Sequence, residues 1–213
     1  MREEQVYFES DGLTIEGLYA PRPGQRGVVV THPHPLMGGS MRNNVVMALV
    51  SVFQRYGFST LRFNFRGVGR SGGVFDDGRG EVGDLRAAVS FLSDEGVTEI
   101  ALAGYSFGAV VAASYLTEGS FIDRVVLVSP PLAEAGLEIP MLRGKKGLLV
   151  CGDDDYFCPV DALKKVALQL SWGAAVIAGA DHFYFGREKD LMDAVENWLA
   201  ADVGPKSGEE TRE

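Results

Sequence analysis

Apolar residues recur along this chain with two spacings, and the two spacings alternate. Apolar runs of strand length occupy residues 27–31, 58–65, 98–103, 124–129, 147–151 and 174–178. Apolar residues at helical spacing occupy residues 43–56, 81–93, 109–116, 160–170 and 188–201. Ahead of them, residues 5–9 and 13–20 alternate in polarity around an Asp-Gly turn signal, which predicts an antiparallel hairpin.

This alternation of strands and helices predicts an α/β fold. A helix between successive strands is the usual crossover of parallel strands, so we expect a mainly parallel sheet with an N-terminal antiparallel hairpin and helices on both faces. Residues 1–201 are predicted to form a single domain, and the polar residues 202–213 a disordered C-terminal tail. Ligands of open α/β sheets bind outside the carboxyl ends of the strands, so the loops there are the candidates for chemistry.

Composition and charge narrow the choice of partners. The 213 residues are 46% hydrophobic and 23% charged, an ordinary globular balance. A net charge of −9 argues against nucleic acid or an anionic membrane as partner. The first residues lack the apolar core of a signal peptide, and no apolar run reaches membrane-spanning length, so we expect a cytoplasmic protein. Nothing in the sequence indicates the oligomeric state.

The segment Gly104–Gly108 fits the pattern G-x-S-x-G between a predicted strand and a predicted helix. A serine on such a strained turn needs glycine on both sides, because a Cβ there would collide with the neighbouring strand or helix. The turn lifts the hydroxyl above the sheet, over a helix N-terminus that favours negative charge. Ser106 is therefore the candidate nucleophile. A glycine-rich turn that contains serine by chance is the alternative, and the strand and helix on either side disfavour it.

A serine nucleophile needs a base and an acid that orients it. Of the three histidines, His182 follows the last predicted strand and is the candidate base. Residues 153–155, all aspartate, follow another strand and offer the acid. The resulting order along the chain, Ser, Asp, His, is that of α/β-hydrolase triads. Asp181, beside the histidine, is interpreted as a turn-forming acid.

Acyl transfer also needs two N–H donors for the developing oxyanion. The Phe107 amide, at the start of a helix, is the first candidate. The second is expected in the loop after the first parallel strand, where Pro33 and Pro35 have no N–H to donate. The amides of His34 and Leu36 therefore remain.

Three other chemistries are disfavoured. The three histidines could bind zinc, but that would leave the G-x-S-x-G turn unexplained, so no metal and no cofactor are expected. Cys151 ends a strand and Cys158 lies on no such turn, so neither is favoured as a thiol nucleophile. The glycine-rich segment 66–72 matches neither phosphate-binding pattern and is interpreted as a structural loop.

Several motifs together resemble a known family, the small lidless bacterial α/β-hydrolases, which are similar to dienelactone hydrolases and acyl-peptidase catalytic domains. The motifs are HPHP at 32–35, GGSMRN at 38–43, RFNFRGVGRS at 62–71, AGYSFG at 103–108 and GADHF at 179–183. The likeness spans roughly residues 27–199. The sequence departs from larger relatives at Asn64, where they often have aspartate, and from dienelactone hydrolases in having serine as the nucleophile.

The resemblance implies an α/β-hydrolase fold and helps to select site residues. The G-x-x-D-x-x-x-P arrangement of the family favours Asp155 as the acid, with Asp154 next. Aligning residues 32–33 with the family's His-Gly favours the His34 amide as the second oxyanion donor, with Leu36 in reserve. Larger relatives insert a cap after residue 129, where residues 130–146 are too few for a lid domain.

An open mouth shaped by apolar side chains is therefore expected, suited to small or short-chain acyl groups. Its predicted lining comprises Leu36, Met37, Phe107, Tyr156, Phe157, Phe183 and Tyr184. The sequence predicts a carboxylesterase-like serine hydrolase that acts on small-molecule esters through Ser106, Asp155 and His182. A thioesterase or acyl-peptide hydrolase with the same triad is the nearer alternative, and a non-catalytic binding protein on a hydrolase fold the more distant one.

Overall fold

The computed structural model describes residues 3–133, 142 and 144–204, within which eight strands and five helices follow the order that the sequence predicts. The strands are β1 (Glu4–Ser10), β2 (Leu13–Ala20), β3 (Arg26–Thr31), β4 (Ser59–Phe63), β5 (Glu99–Tyr105), β6 (Arg124–Val128), β7 (Lys146–Gly152) and β8 (Gly173–Ile177). The helices are α1 (Asn44–Arg55), α2 (Arg79–Asp94), α3 (Phe107–Thr117), α4 (Val160–Leu170) and α5 (Glu188–Val203).

All eight strands form one sheet, in the order β1-β2-β4-β3-β5-β6-β7-β8. Strands β3 to β8 run parallel to one another, whereas β2 pairs antiparallel with both β1 and β4. The carboxyl ends of β3, β5, β6, β7 and β8 therefore open at the same edge of the sheet, which is the edge that the sequence favours for a site.

The N-terminal hairpin is closed by a two-residue turn at Asp11 and Gly12. Ser10 pairs with Leu13 across the turn, and both turn residues have positive φ, 51° and 78°. Positive φ at both central residues is what a type I′ turn requires, and the right-handed twist of the strands favours that turn. The Asp-Gly signal in the sequence thus fixes the register of β1 on β2.

The core lies in two layers, one on each face of the sheet. Val29 on β3 packs with one layer, and its neighbours Val28 and Val30 pack with the other, because successive strand side chains point to opposite faces. Helices α2, α3 and α4 cover the first face, and α1 and α5 cover the second. Central strands buried on both faces explain the nearly continuous apolar runs in the sequence.

The last helix corrects the predicted C-terminal tail. Asp202 and Val203 belong to α5, and Asp202 pairs with Arg124 at 2.5 Å and with Lys146 at 2.7 Å. These ion pairs link the end of α5 to the first residues of β6 and β7, which sequence periodicity does not reveal. Residues 205–213 of the predicted tail lie outside the described residues. Within the described residues, none of the helices combines the length and the apolar character that crossing a bilayer requires.

Candidate active site

Ser106 lies on the turn between β5 and α3 in a strained backbone conformation, with φ 55° and ψ −119°. Its N–H donates to the Val128 carbonyl at 2.9 Å, which fastens the turn to the end of β6. A Cβ on Gly104 would lie 2.6 Å from the Gly108 carbonyl oxygen, and a Cβ on Gly108 would lie 2.6 Å from the His32 carbonyl oxygen. Both glycines are therefore required by space, as the sequence pattern predicts, and the strain is stored at the residue that presents the hydroxyl.

The structure brings together the three side chains predicted as nucleophile, base and acid. His182 Nε2 lies 2.9 Å from Ser106 Oγ, and Nδ1 lies 3.0 Å from each carboxylate oxygen of Asp155. His182 and Asp155 are buried, whereas Ser106 is partly exposed. The arrangement gives one imidazole a carboxylate on one ring nitrogen and a hydroxyl on the other, which is the geometry of a serine nucleophile with its base.

The loop after β7, residues 153–159 and here called the acid loop, fixes the Asp155 carboxylate through backbone amides. Asp155 Oδ1 accepts hydrogen bonds from the amides of Phe157 and Cys158 at 3.0 and 3.1 Å. Burial alone would raise the pKa of Asp155, but the hydrogen bonds from His182 and Ser129 outweigh it and hold that pKa below its usual value. Asp155 is therefore a fixed, charged partner for the imidazole.

The other two aspartates of the acid loop point elsewhere. Asp154 is exposed, and Asp153 accepts the Gly179 amide at 2.6 Å. Asp153 thus braces the acid loop against the turn that precedes His182. Of residues 153–155, only Asp155 reaches the imidazole ring.

The loop after β8, residues 178–187 and here called the histidine loop, is fixed by a turn of its own and by a buried tyrosine. Asp181 Oδ1 accepts the amides of Phe183 and Tyr184 at 2.9 and 3.2 Å, so its side chain forms the turn, as the sequence suggests. The Tyr105 hydroxyl, at the end of β5, donates to the His182 carbonyl at 2.7 Å. The imidazole is therefore held in register with the serine turn, which directly follows Tyr105.

The predicted oxyanion donors stand on two elements that meet beside Ser106. Phe107 is the first residue of α3, so its N–H has no acceptor within the helix. His34 precedes a 3₁₀ turn at Pro35–Met37, and its Nδ1 accepts the Leu36 amide at 3.2 Å. The Leu36 N–H is thereby engaged, so the reserve donor suggested by the sequence is not free. The His34 ring packs 5.1 Å from the Phe107 ring, so the loop after β3 contacts the start of α3.

His32 fixes the loop after β3 through hydrogen bonds of its buried ring. It is fully buried, its Nε2 accepts the Phe65 amide at 3.0 Å, and its Nδ1 donates to the Pro33 carbonyl at 2.6 Å. Burial lowers the pKa of His32 to about 4, so the ring is neutral. Both ring nitrogens of His32 and of His182 bond to protein groups, which does not fit the zinc alternative.

Apolar side chains surround the site, but not all of those predicted. Leu36, Met37, Tyr156 and Phe183 are 74%, 79%, 82% and 51% exposed, and Phe157 is partly buried with its ring 4.8 Å from the His182 ring. Tyr184 is the exception, because it is fully buried in the core with its hydroxyl 2.8 Å from Ser129 Oγ. Its hydroxyl finds a partner inside the protein, so the side chain turns away from the mouth.

Phe75 also lies at this rim, although the sequence did not predict it there. Phe75, from the glycine-rich loop between β4 and α2, lies 4.8 Å from the His34 ring and 5.6 Å from the Phe107 ring. Its only signal is an apolar Val-Phe pair next to two aspartates at the end of a glycine-rich loop. The loop is brought there by Arg66, which pairs with the buried Asp84 at 2.8 Å.

The hydrogen bonds of Asn64 explain why this chain has asparagine where larger relatives often have aspartate. Its Oδ1 accepts the Met41 amide at 2.8 Å, and its Nδ2 donates to Glu16 Oε1 at 2.7 Å. Both side chains are buried, and Glu16 also accepts the Arg70 amide at 2.6 Å. With a glutamate on β2, the facing residue must donate a hydrogen bond, which an amide does and a carboxylate does not.

We expect Asn64→Asp to lower the free energy of unfolding by about 1–3 kcal/mol at pH 8, because two carboxylates would face each other in a buried site. The pair would have a raised pKa in the folded state, so the loss should shrink as the pH falls and one carboxyl binds a proton. Urea unfolding of the variant at pH 8 and at pH 5 measures both effects.

Asn43→Asp is the matched control for Asn64→Asp. Asn43 caps α1 by accepting the Val45 amide at 2.9 Å, and aspartate caps a helix as well as asparagine does. The control adds the same charge without a facing carboxylate. An Asn64→Asp variant that loses as much at pH 5 as at pH 8, or no more than the control, would contradict the role assigned to this pair.

The chain is similar to known proteins both in sequence and in structure. Residues 28–169 match the family described as serine aminopeptidase, S33. An uncharacterized protein of Rickettsia prowazekii is 33% identical, over 92% of this chain and 88% of its own length. The structure of an alpha-beta serine hydrolase homologue from Coxiella burnetii has a TM-score of 0.85 at 33% identity, over 94% of this chain and 99% of that one.

A third relative bears on the fold alone. A serine hydrolase without a lid from Xanthomonas campestris has a TM-score of 0.84 at 23% identity, over 97% of this chain and 98% of its own. The predicted α/β-hydrolase fold without a cap is thereby confirmed. Residues 134–141 and 143 of the segment expected to be too short for a lid lie outside the described residues.

Proposed function

The chain belongs to the serine aminopeptidase S33 family of α/β serine hydrolases, and we propose that it cleaves small or short-chain carboxylic esters through an acyl-enzyme on Ser106. The observation that carries the proposal is the unbroken run of hydrogen bonds from Ser106 through His182 to Asp155. An unactivated serine hydroxyl is a weak nucleophile, and this run supplies both the base and the group that orients it.

Acylation begins when Ser106 Oγ attacks the ester carbonyl carbon as His182 Nε2 takes the hydroxyl proton. Asp155 stabilises the resulting imidazolium and holds Nδ1 as the donor, so that Nε2 is free to accept. The carbonyl oxygen becomes an oxyanion, for which the amides of Phe107 and His34 are the proposed donors. Collapse of this intermediate breaks the bond to the alcohol oxygen, which leaves with the proton from His182.

Deacylation repeats the sequence with water. His182 takes a proton from a water molecule, whose oxygen attacks the acyl carbon of the ester on Ser106. The second tetrahedral intermediate uses the same two amides, and its collapse returns the proton to Ser106 Oγ and releases the carboxylic acid. Both steps combine nucleophilic attack with acid–base and electrostatic catalysis, and the proposed catalytic groups all come from this chain.

The surroundings of Ser106 support a small, apolar substrate. The rim side chains Leu36, Met37, Tyr156 and Phe183 are largely exposed, which favours a ligand with an apolar part that covers them. Phe107 also lines a groove of about 380 Å³ between α2 and α3, whose lining includes Val82 and Val110 and also the charged residues Asp77, Arg79 and Glu118. An acyl group that extends over the Phe107 ring would enter this groove.

The family description favours an amide as the second candidate substrate. Peptide or acyl-peptide hydrolysis would use the same three side chains, with His182 protonating a leaving amine instead of an alcohol. A thioester releases a thiolate, which is less basic than an alcohol's alkoxide or an amine and therefore depends less on protonation by His182. The three bonds therefore differ in the demand on His182 and not in the nucleophile.

The proposal predicts labelling of Ser106 by a fluorophosphonate probe, because such probes react with activated serines. Mass spectrometry of the labelled peptide locates the modified residue, and protein unfolded in urea before labelling is the control. A panel of p-nitrophenyl acetate, butyrate and octanoate, an acyl thioester and an aminoacyl anilide then identifies the bond cleaved. We expect the acetate and butyrate to be turned over fastest. Absence of both labelling and turnover would instead support a binding protein.

A further inference from the structure

Phe75 lies at the rim of the site, yet the steps proposed for hydrolysis do not use it. Its ring is partly buried, 4.8 Å from the His34 ring and 5.6 Å from the Phe107 ring. Those two residues carry the amides proposed as oxyanion donors. A side chain in this position bears on where the substrate lies, because apolar rings at the mouth of a site decide which shapes can enter it.

A buried carboxylate holds the end of the loop that carries Phe75. Glu81, in the first turn of α2, is fully buried, and its two carboxylate oxygens accept the amides of Asp76 and Gly78, each at 2.9 Å. Asp77 and Gly78 both have positive φ, 48° and 89°. Such backbone is rare for a residue other than glycine and persists only where the surroundings hold it. The residues that directly follow Phe75 are therefore fixed in place.

The beginning of the same loop is anchored to the same helix. Arg66 donates through its backbone amide and its guanidinium to Asp84 on α2, at 2.9 and 2.8 Å, and Asp84 is fully buried. The chain then returns on itself, because a Cβ on Gly67 would lie 3.0 Å from Val74 Cα. Main chain thus packs against main chain directly before Phe75, so the loop presents this ring at a defined position.

Phe107 connects the serine to the groove between α2 and α3. It directly follows Ser106, and it lines the groove together with Gly78. Its ring reaches that far, because a Cβ on Gly78 would lie 3.9 Å from Phe107 Cε2. Val82 and Val110 add apolar side chains to the lining. A chain of methylene groups that leaves the serine across this ring would therefore find apolar surface in the groove.

The path across the Phe107 ring is partly covered. The Phe65 ring, 5.8 Å away, is fully buried, so it supports Phe107 from the core. The rings of His34 and Phe75, 5.1 and 5.6 Å away, are partly exposed, so they lie on the side from which a substrate approaches. Because His34 belongs to the proposed oxyanion hole, Phe75 is the covering side chain that can be varied without altering the reaction.

We propose that Phe75 is a specificity-determining residue, which limits the length of the acyl chain by covering the path across Phe107 to the groove. With the ring in place, a short acyl group fits beside Ser106, whereas a longer one meets Phe75 before it reaches Val82 and Val110. The effect on turnover rests on the proposed function, whereas the covered path to the groove does not.

We expect Phe75→Ala to raise the ratio of kcat/KM for p-nitrophenyl octanoate to kcat/KM for p-nitrophenyl acetate by roughly ten-fold, the weight of about two methylene groups moved from water to apolar surface. The gain should appear as a lower KM for the octanoate. The kcat for the acetate should stay within about two-fold of wild type, because Ser106, His182 and Asp155 are unchanged. Phe75→Leu keeps part of the cover and should move the ratio in the same direction by less, so it keeps the test available even where Phe75→Ala is too unstable.

Val74→Ala is the matched control. It also shortens an apolar side chain of the same loop, one residue earlier, but Val74 is 76% exposed and does not line the groove. The ratio should stay at the wild-type value in this variant. An unchanged ratio in both Phe75 variants, or an equal rise in Val74→Ala, would overturn the proposal.

Binding of sodium octanoate to the resting protein, followed by NMR of methyl groups, separates this proposal from the proposed function. Octanoate is the acid that the longest ester of the panel would release, and Val82→Ala and Val110→Ala variants assign the methyl signals that report on the groove. Octanoate should shift these signals in Phe75→Ala, but not in wild type or in Val74→Ala.

The two readouts fail in different ways. Groove signals that stay unmoved in Phe75→Ala would overturn the proposal even where ester hydrolysis is established. A wild-type protein that cleaves no ester of the panel, while the signals of Phe75→Ala shift as expected, would contradict only the hydrolase assignment.

Discussion

Replacing Ser106 with alanine is expected to lower kcat for a short-chain p-nitrophenyl ester by about a thousand-fold or more. The variant loses the hydroxyl that lies 2.9 Å from His182 Nε2, and no other side chain brought to the imidazole can form the acyl-enzyme. The oxyanion donors and the apolar rim remain, so KM should change little and a small residual rate should persist. Initial rates at saturating substrate measure both quantities.

Ser90→Ala is the control for this experiment. Ser90 is exposed on α2 and lines neither the apolar rim nor the groove beside Phe107, and alanine suits a helix interior. The control should retain wild-type kcat. Turnover by Ser106→Ala at the rate of Ser90→Ala would leave the proposed mechanism without its nucleophile.

Asp155→Asn is expected to have the second large effect, a fall in kcat of about ten-thousand-fold. The asparagine oxygen can still accept the amides of Phe157 and Cys158, which leaves the NH₂ group facing His182 Nδ1. That nitrogen must then accept a hydrogen bond, so the proton moves to Nε2. An imidazole protonated at Nε2 cannot take the proton of Ser106, even though the geometry of the site is unchanged.

Asp154→Asn is the matched control and also tests the alternative acid. It makes the same chemical change one residue earlier in the same loop, on an exposed side chain. Its kcat should stay within about two-fold of wild type, as expected for a surface substitution away from the site. A larger loss in Asp154→Asn than in Asp155→Asn would reverse the assignment of the acid.

What could be predicted from the sequence depends on local signals. The serine turn is specified by five consecutive residues, and the sheet by the alternation of apolar spacings, so the sequence alone predicts both. The partners of Ser106 follow from few candidates, namely three histidines and a run of three aspartates after one strand. In each case, the topology of a parallel sheet brings to one edge what the chain separates.

The features that could not be predicted depend on contacts between distant segments. Whether Tyr184 faces the mouth or the core is decided by Ser129, 55 residues earlier in the chain. Leu36 is unavailable as a donor because the His34 side chain turns back onto it. Asp202 is ordered by cations at the starts of β6 and β7. Periodicity describes which face of an element is buried, but not which polar atom meets which partner.

The serine turn and the rim around it differ in how much change they tolerate. Added atoms at Gly104 or Gly108 would collide with main chain, which cannot move aside without disturbing the sheet. Leu36, Met37 and Tyr156, by contrast, are mostly in solvent and contribute little to folding. Rim side chains can therefore be exchanged without disturbing the serine turn, so substitutions there should alter substrate range while the reaction is retained.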